Sequence, residues 1–183
     1  MTTAGWQLSQ QMDAPSNFAA ADAGAAGILF VNQWPSPTHC LAGFQPKRGG
    51  ITGFGGKAEP NDYGPIHTAC RETLEELLGI SNTTLAAYMS WEFEPVKEFT
   101  SGGYTTFVMT FEQLEKLLRG LWRIREESPF YEMFPMRVID CVLGRSRRSD
   151  MEVGALCILP ICKGAGVADG LVLKELLDDW KKL

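Results

Sequence analysis

Residues Ala25 to Asn32 read AAGILFVN, an unbroken apolar run of strand length instead of an alternating one. A run of this kind, carrying Ile, Phe and Val, suits a buried strand. Pro35 and Pro37 end it. A buried strand needs cover, and the following segments supply it. Cys40 to Phe44 reads as its hairpin partner, and Gly49 to Gly56 (GGITGFGG) as a short strand opening into a glycine-dense loop. Pro65 to Leu78 reads as a helix, with Pro in its first turn, Asp62 or Asn61 near enough to cap it, and Gly79 placed to stop it. Leu85 to Val96 and Tyr104 to Phe111 predict strands, and the Ser101-Gly102-Gly103 turn makes Phe99 and Tyr104 a hairpin. Glu112 to about Arg125 is helical, with Leu114, Leu117, Leu118 and Leu121 on one stripe. Phe130 to Val142 predicts a second helix, Ala155 to Ile161 a strand, and Val167 to Lys182 a closing amphipathic helix. This alternation predicts an α+β fold, a mixed sheet sandwiched by helices.

The 183 residues suffice for one domain with a core of its own. Residues 1–24 are polar and Ala-rich, and read as a flexible arm with Trp6 and Phe18 as docking points. Residues 25–183 read as the single domain. Within it the helical stretch at about 112–150 is longer than a simple connection, and is the place for substrate specificity or a homodimer contact. Seventeen Lys and Arg against 22 Asp and Glu give a net charge of −5, which argues against nucleic-acid binding by bulk charge while leaving room for a local phosphate patch. No run is long and apolar enough to span a membrane, so no membrane partner is expected. The five cysteines are odd in number and lack metal-ligand spacing, which suits free thiols in the cytoplasm.

The chemistry concentrates in Gly53 to Ile80, GFGGKAEPNDYGPIHTACRETLEELLGI. Glu72, Glu75 and Glu76 stand at i, i+3 and i+4, so three carboxylates share one helix face. Their mutual repulsion weakens an isolated helix, and a hard divalent cation removes it, because Mg²⁺ takes carboxylate and phosphate oxygens. Arg71 lies four residues before Glu75 and can pair with it and orient it. Leu74, Leu77 and Leu78, with Ala69 and Cys70, supply the core-facing side. Gly53, Gly55 and Gly56 let the preceding backbone approach a ligand closely.

This segment resembles the Nudix box, G-x5-E-x7-R-E-U-x-E-E-x-G-U, where U is a bulky aliphatic residue. Gly56 matches the first glycine, Arg71-Glu72 the R-E pair, Glu75-Glu76 the E-E pair and Gly79-Ile80 the closing pair. Asp62 stands in place of Glu, Thr73 in place of the aliphatic residue, and Arg71 and Gly79 each come one residue late. Similar spacing changes occur in divergent members from large DNA viruses, some of which remove RNA caps. The resemblance implies a Nudix-type α/β/α sandwich and a pyrophosphohydrolase that cleaves a diphosphate linkage in a nucleoside-diphosphate derivative. A nucleotide or a capped RNA is favoured, with ADP-ribose or a dinucleoside polyphosphate also open. It further implies that Glu72, Glu75 and Glu76 hold Mg²⁺ or Mn²⁺ with the Gly55 carbonyl, Glu76 being the essential ligand. A later carboxylate often completes such sites; Glu152 is the first candidate, ahead of Asp150, Glu126 and Glu127. The alternative is a catalytically weak Nudix-fold module that binds nucleotide or RNA.

Substrate contacts are read from residue type. Lys47 and Arg48 precede the glycine loop and can meet phosphates. Trp34 and Phe54, with Trp91, Phe93 and Tyr104, can stack on a base. Arg145, Arg147 and Arg148, with the Arg119–Arg125 group, can form a patch for RNA. His39 and His67 read as surface or boundary residues.

Overall fold

The first predicted strand, β1 (Ala25–Val31), lies inside a seven-stranded mixed sheet and is buried from Ala26 to Val31. The computed structural model describes residues 24–146, 148, 151–161 and 171–183. On one edge β1 pairs in parallel with β6 (Tyr104–Thr110) along its whole length. On the other edge it meets two partners. Phe30 and Val31 pair with Leu41 and Cys40 of β2 (His39–Gln45). Towards its start, Ala25 to Ile28 pair with β4 (Phe54–Lys57). β3 (Gly50–Thr52) pairs with β2, so the chain passes from β2 to β1 at Gly53 and opens the sheet there. β5 (Lys97–Ser101) extends the sheet beyond β6, and β7 (Ala155–Pro160) extends it beyond β2.

Alternate strand residues feed two cores. Ile28, Phe30, Leu41, Phe107 and Met109 face a helical layer made of α1 (Pro65–Thr73), α2 (Thr83–Glu92), α3 (Phe111–Arg123) and α4 (Val138–Gly144). Leu29, Val31, Cys40, Ala42 and Val108 face α5 (Lys174–Trp180), whose Leu176 and Trp180 are buried against them. The architecture is therefore an α/β/α sandwich about a mixed sheet. Among the described residues no helix is long and apolar enough to cross a membrane, and Cys40, Cys70, Cys141 and Cys157 are free thiols.

Four elements depart from the expectations above. The segment predicted as a strand from Leu85 to Val96 forms α2 instead. Asn82 caps it, its side-chain oxygen accepting from the Leu85 N–H at 3.0 Å. Leu85, Ala86 and Met89 enter the core while Tyr88 and Trp91 face out. Apolar residues on both faces hide the helical period. The helix expected at Phe130 to Val142 forms only at Val138–Gly144, because Pro135 disfavours helical backbone at Phe134 and Asp140 caps the start by accepting from the Arg137 N–H at 3.0 Å. α5 begins later than expected, since Ile51 exchanges backbone hydrogen bonds with Leu171 and Leu173 at 2.7 and 2.8 Å and holds that segment extended. Neither Asp62 nor Asn61 caps α1; Gly64 occupies that position without a side-chain cap. The arm at 1–24, except for Gly24, and Asp150 lie outside the described residues.

Candidate active site

α1 does not run straight into its glycine stop. After Thr73 the backbone widens into a π-helical turn over Leu74–Leu78, and Gly79 then takes a left-handed conformation with φ 70°. The Gly79 N–H donates to the Glu75 carbonyl at 2.9 Å and the Ile80 N–H to the Leu74 carbonyl at 3.1 Å, which closes the helix end. A side chain at residue 79 would also collide with Phe130 and Pro129, 2.8 Å from an added Cβ. Leu74, Leu77 and Leu78 are all buried, as the apolar stripe predicts. The opposite face presents the three glutamates.

Arg71 is the electrostatic anchor of that face, with only 3% of its side chain exposed. Its Nη2 donates to Asp62 at 3.1 Å and to the Lys57 carbonyl at 2.8 Å, and its Nε donates to the other Asp62 oxygen at 3.2 Å. Its Nη1 lies 3.0 Å from Glu72 and 3.2 Å from Glu75. Burial alone would raise the Asp62 carboxyl, but hydrogen bonds from Arg71, the Glu59 N–H and the Thr68 hydroxyl outweigh it and hold it below its usual range. His67, expected near the surface, is buried with Nδ1 3.0 Å from Asp62.

Glu76 is the most enclosed of the three glutamates. One oxygen accepts from the Gly55 N–H at 2.8 Å and the other from the Gln45 side-chain amide at 3.3 Å. Burial pushes its carboxyl up to about 8; the Gly55 bond opposes this, and Glu152 and Glu72 add like-charge repulsion. Burial likewise raises Glu72 and Glu75, with Arg71 pulling both back down. The Gln45 amide also reaches Glu152 at 3.5 Å, so one neutral donor stands between two carboxylates contributed by distant parts of the chain. Gly56 matters by absence of a side chain, since an added Cβ would sit 2.4 Å from the Glu72 carboxyl.

Glu72, Glu75, Glu76 and Glu152 all line one cavity of about 230 Å³, with Ser81, Phe130 and Met151 completing its wall. Among the described residues no three His, Cys, Asp or Glu side chains are grouped so as to hold a metal ion. The donor set is nevertheless all carboxylate, the hard-oxygen chemistry that Mg²⁺ and Mn²⁺ take. A second cavity of about 370 Å³ lies close to it, lined by Gln45 and Gly55, both of which hydrogen-bond Glu76. Arg48, Phe54, Tyr104, Thr106, Glu175 and Asp179 also line it.

The remaining sequence candidates sit elsewhere or are otherwise engaged. Arg48 pairs with Glu175 of α5 at 2.6 Å, at the larger cavity. Lys47 is exposed in the turn after β2. The Phe54 side chain is fully buried against Phe30, so its ring faces the core. Trp34 packs on the α5 side of the sheet under the Lys97 ammonium and lines neither cavity. Trp91 is exposed on α2, and Glu126 and Glu127 line neither cavity. Gln45 was not foreseen: a lone glutamine ending a strand carries no pattern that marks it.

No protein-family model matches the chain, and no curated protein matches it by sequence. Among solved structures the chain is similar to a hydrolase of the NUDIX family from Clostridium perfringens, at 12% identity and a TM-score of 0.39, over 87% of this chain and 94% of that one.

Proposed function

We propose that the protein is a Nudix-type pyrophosphohydrolase that cleaves a diphosphate linkage in a nucleoside-diphosphate derivative, with a nucleotide or capped RNA as the favoured substrate. The observation that carries this reading is the meeting of Glu72, Glu75 and Glu76 from one helix with Glu152 from a distant loop on a single cavity. Glu72, Glu75 and Glu76, with the Gly55 carbonyl, would hold the divalent cation. When bound, such a cation neutralises diphosphate charge and lowers the pKa of a coordinated water.

The chain's own residues supply the rest. Gly55 and Gln45 fix the Glu76 carboxylate through both its oxygens. Arg71 orients Glu72 and Glu75, and is itself locked by Asp62. Glu152, on the cavity wall and within 3.5 Å of the Gln45 amide, is the candidate general base to take a proton from an attacking water. The second cavity takes the nucleoside part, with Tyr104, Thr106 and Asp179 as its polar lining.

The test is a hydrolysis panel with Mg²⁺ and Mn²⁺ over nucleoside triphosphates and their 8-oxo derivatives, ADP-ribose, dinucleoside polyphosphates and capped RNA. Metal-dependent cleavage of at least one member, lost in Glu76→Gln with the fold retained, is the expected result. Turnover unchanged in Glu76→Gln would remove the site assignment. Binding of nucleotide or RNA without cleavage of any member would favour the binding-module reading.

A further inference from the structure

Arg145, at the C-terminal end of α4, does not point into solvent as a member of a basic patch. Its Nη2 donates to the Glu76 carbonyl at 2.6 Å and to the Val153 carbonyl at 2.8 Å. Its Nη1 donates to the Leu77 carbonyl at 2.6 Å and to the Tyr131 hydroxyl at 3.2 Å. The guanidinium lies 4.7 Å from the centre of the Phe130 ring, which also walls the carboxylate cavity. Around it the Tyr131 hydroxyl donates to the Leu77 carbonyl at 3.1 Å, and the Ser128 hydroxyl donates to the Leu78 carbonyl.

A helix end leaves its last carbonyls without partners, and a cation there is favourable. Here the same guanidinium that satisfies the carbonyls of Glu76 and Leu77 also grips the residue after Glu152. The backbones that carry the two carboxylates are thereby tied to one rigid, planar group. The π-helical turn departs from α-helical register, and the Arg145 tie sets where it stands against the Glu152 loop.

We infer that Arg145 is a positioning residue that sets the separation of Glu76 and Glu152 by clamping the π-turn to the Glu152 loop. The inference rests on the reading of the carboxylate cavity as the catalytic site. A lysine keeps the stem over Phe130 and the charge at the helix end, but one ammonium does not reproduce the planar fork that spans both backbones.

The experiment is a Mn²⁺ titration followed by electron paramagnetic resonance, with thermal melting alongside. The proteins are wild type, Glu76→Gln, Arg145→Lys, Arg145→Met and Val172→Ala. Val172 is buried on the α5 side of the sheet, so its truncation lowers the melting temperature without touching the cavity. Arg145→Met is expected to bind Mn²⁺ about tenfold more weakly or worse, the size usual for losing a group that orients metal ligands. Arg145→Lys should fall between it and wild type, and Val172→Ala should bind like wild type. Wild-type affinity in both Arg145 variants would overturn the inference and leave a purely structural residue. If Arg145→Met fails to fold, Arg145→Lys decides by the same criterion. Mn²⁺ binding that is absent from wild type, or unaffected by Glu76→Gln, would instead overturn the reading of the cavity, and the inference with it.

Discussion

Replacing Arg71 by methionine removes the cation that pairs with Asp62, Glu72 and Glu75. The stem survives, and with it most of the packing. What remains is an Asp62 carboxylate with 3% of its side chain exposed, still bonded to the Glu59 N–H and the Thr68 hydroxyl and 3.0 Å from His67 Nδ1, but without its guanidinium partner. The Lys57 carbonyl also loses its donor. Breaking a buried ion pair from one side costs about 3–5 kcal/mol, because an uncompensated charge is left behind. For a chain of this size about 1 kcal/mol moves the melting temperature by about 2–4 °C, so a drop of roughly 6–20 °C is expected at pH 7. The sign of the pH dependence follows from Asp62. Its carboxyl is held below its ordinary value of 3.8, so the pair's contribution is present above that value and lost as pH falls through the lower, folded value. The gap between wild type and Arg71→Met should therefore be widest near neutrality and shrink below pH 3.8. A double variant, Arg71→Met with Asp62→Leu, should recover a good part of the loss, since two apolar residues leave no charge stranded. Urea unfolding at several pH values is measured for wild type, Arg71→Met, Asp62→Leu and the double variant. A loss under about 1 kcal/mol in Arg71→Met, or a double variant less stable than either single one by the full sum, would refute the buried-pair argument.

Two further substitutions separate packing from chemistry. Gly56→Ala puts a Cβ 2.4 Å from the Glu72 carboxyl, which is the far end of a flexible side chain; Glu72 should swing away, leaving the melting temperature within a few degrees while Mn²⁺ affinity and turnover fall, and a fully active alanine variant would contradict the contact. Asp179 accepts a hydrogen bond from Thr106 at 3.2 Å, and burial raises its carboxyl from 3.8 to about 6. A raised folded value means that the neutral form is favoured: stability is full below 3.8 and is lost as pH rises through about 6. Asp179→Asn keeps an acceptor for Thr106 and should be more stable than wild type by about 1–2 kcal/mol at pH 8, after allowance for solvent screening, and no more stable at pH 3.5. Equal denaturation midpoints at pH 8 would show that Asp179 is not strained by its burial.

What could be read in the sequence tracks how local each signal is. β1 was legible because an unbroken apolar run has few other uses, and α3 because Leu114, Leu117, Leu118 and Leu121 leave one clean stripe. The hairpin was legible because Gly102 and Gly103, at φ 59° and 78°, form the two-residue turn that suits twisted strands. α2 was not, since its period is blurred by Tyr88 and Trp91 on the outer face and its cap is a single Asn82. That the three glutamates and Arg71 share one helix face was legible because they fall within six consecutive residues. Gln45 and the inward course of Arg145 depend on which strand end and which helix end meet in space, and no short-range pattern encodes that.

Against the motif that the segment resembles, Arg71 and Gly79 each stand one residue late, and the same helix shows how the chain accommodates this spacing. The residue by which Arg71 comes late falls between Asp62 and Arg71, after the turn at Glu59–Asp62, and Asp62 still meets Arg71 at 3.1 Å despite a side chain one methylene shorter than glutamate. The other extra residue, in the Leu77-Leu78 pair, falls inside the helix, where it cannot be absorbed without consequence. Continued as an α-helix, it would rotate everything after it by about 100°. Gly79 would then leave the position from which it stops the helix against Pro129 and Phe130. A π-turn takes up one residue without rotating what precedes it. The widened turn spans Leu74–Leu78, so Glu75 and Glu76 lie within it and Glu72 stands just before it. Ile80 still returns its N–H to Leu74, and all three glutamates stay on the cavity wall. The turn ends in the carbonyls of Glu76, Leu77 and Leu78, which a helix end leaves without helical partners, and those are the carbonyls that Arg145, Tyr131 and Ser128 satisfy. Deleting Leu77 or Leu78 without touching Arg145 would therefore leave the clamp facing the wrong carbonyls.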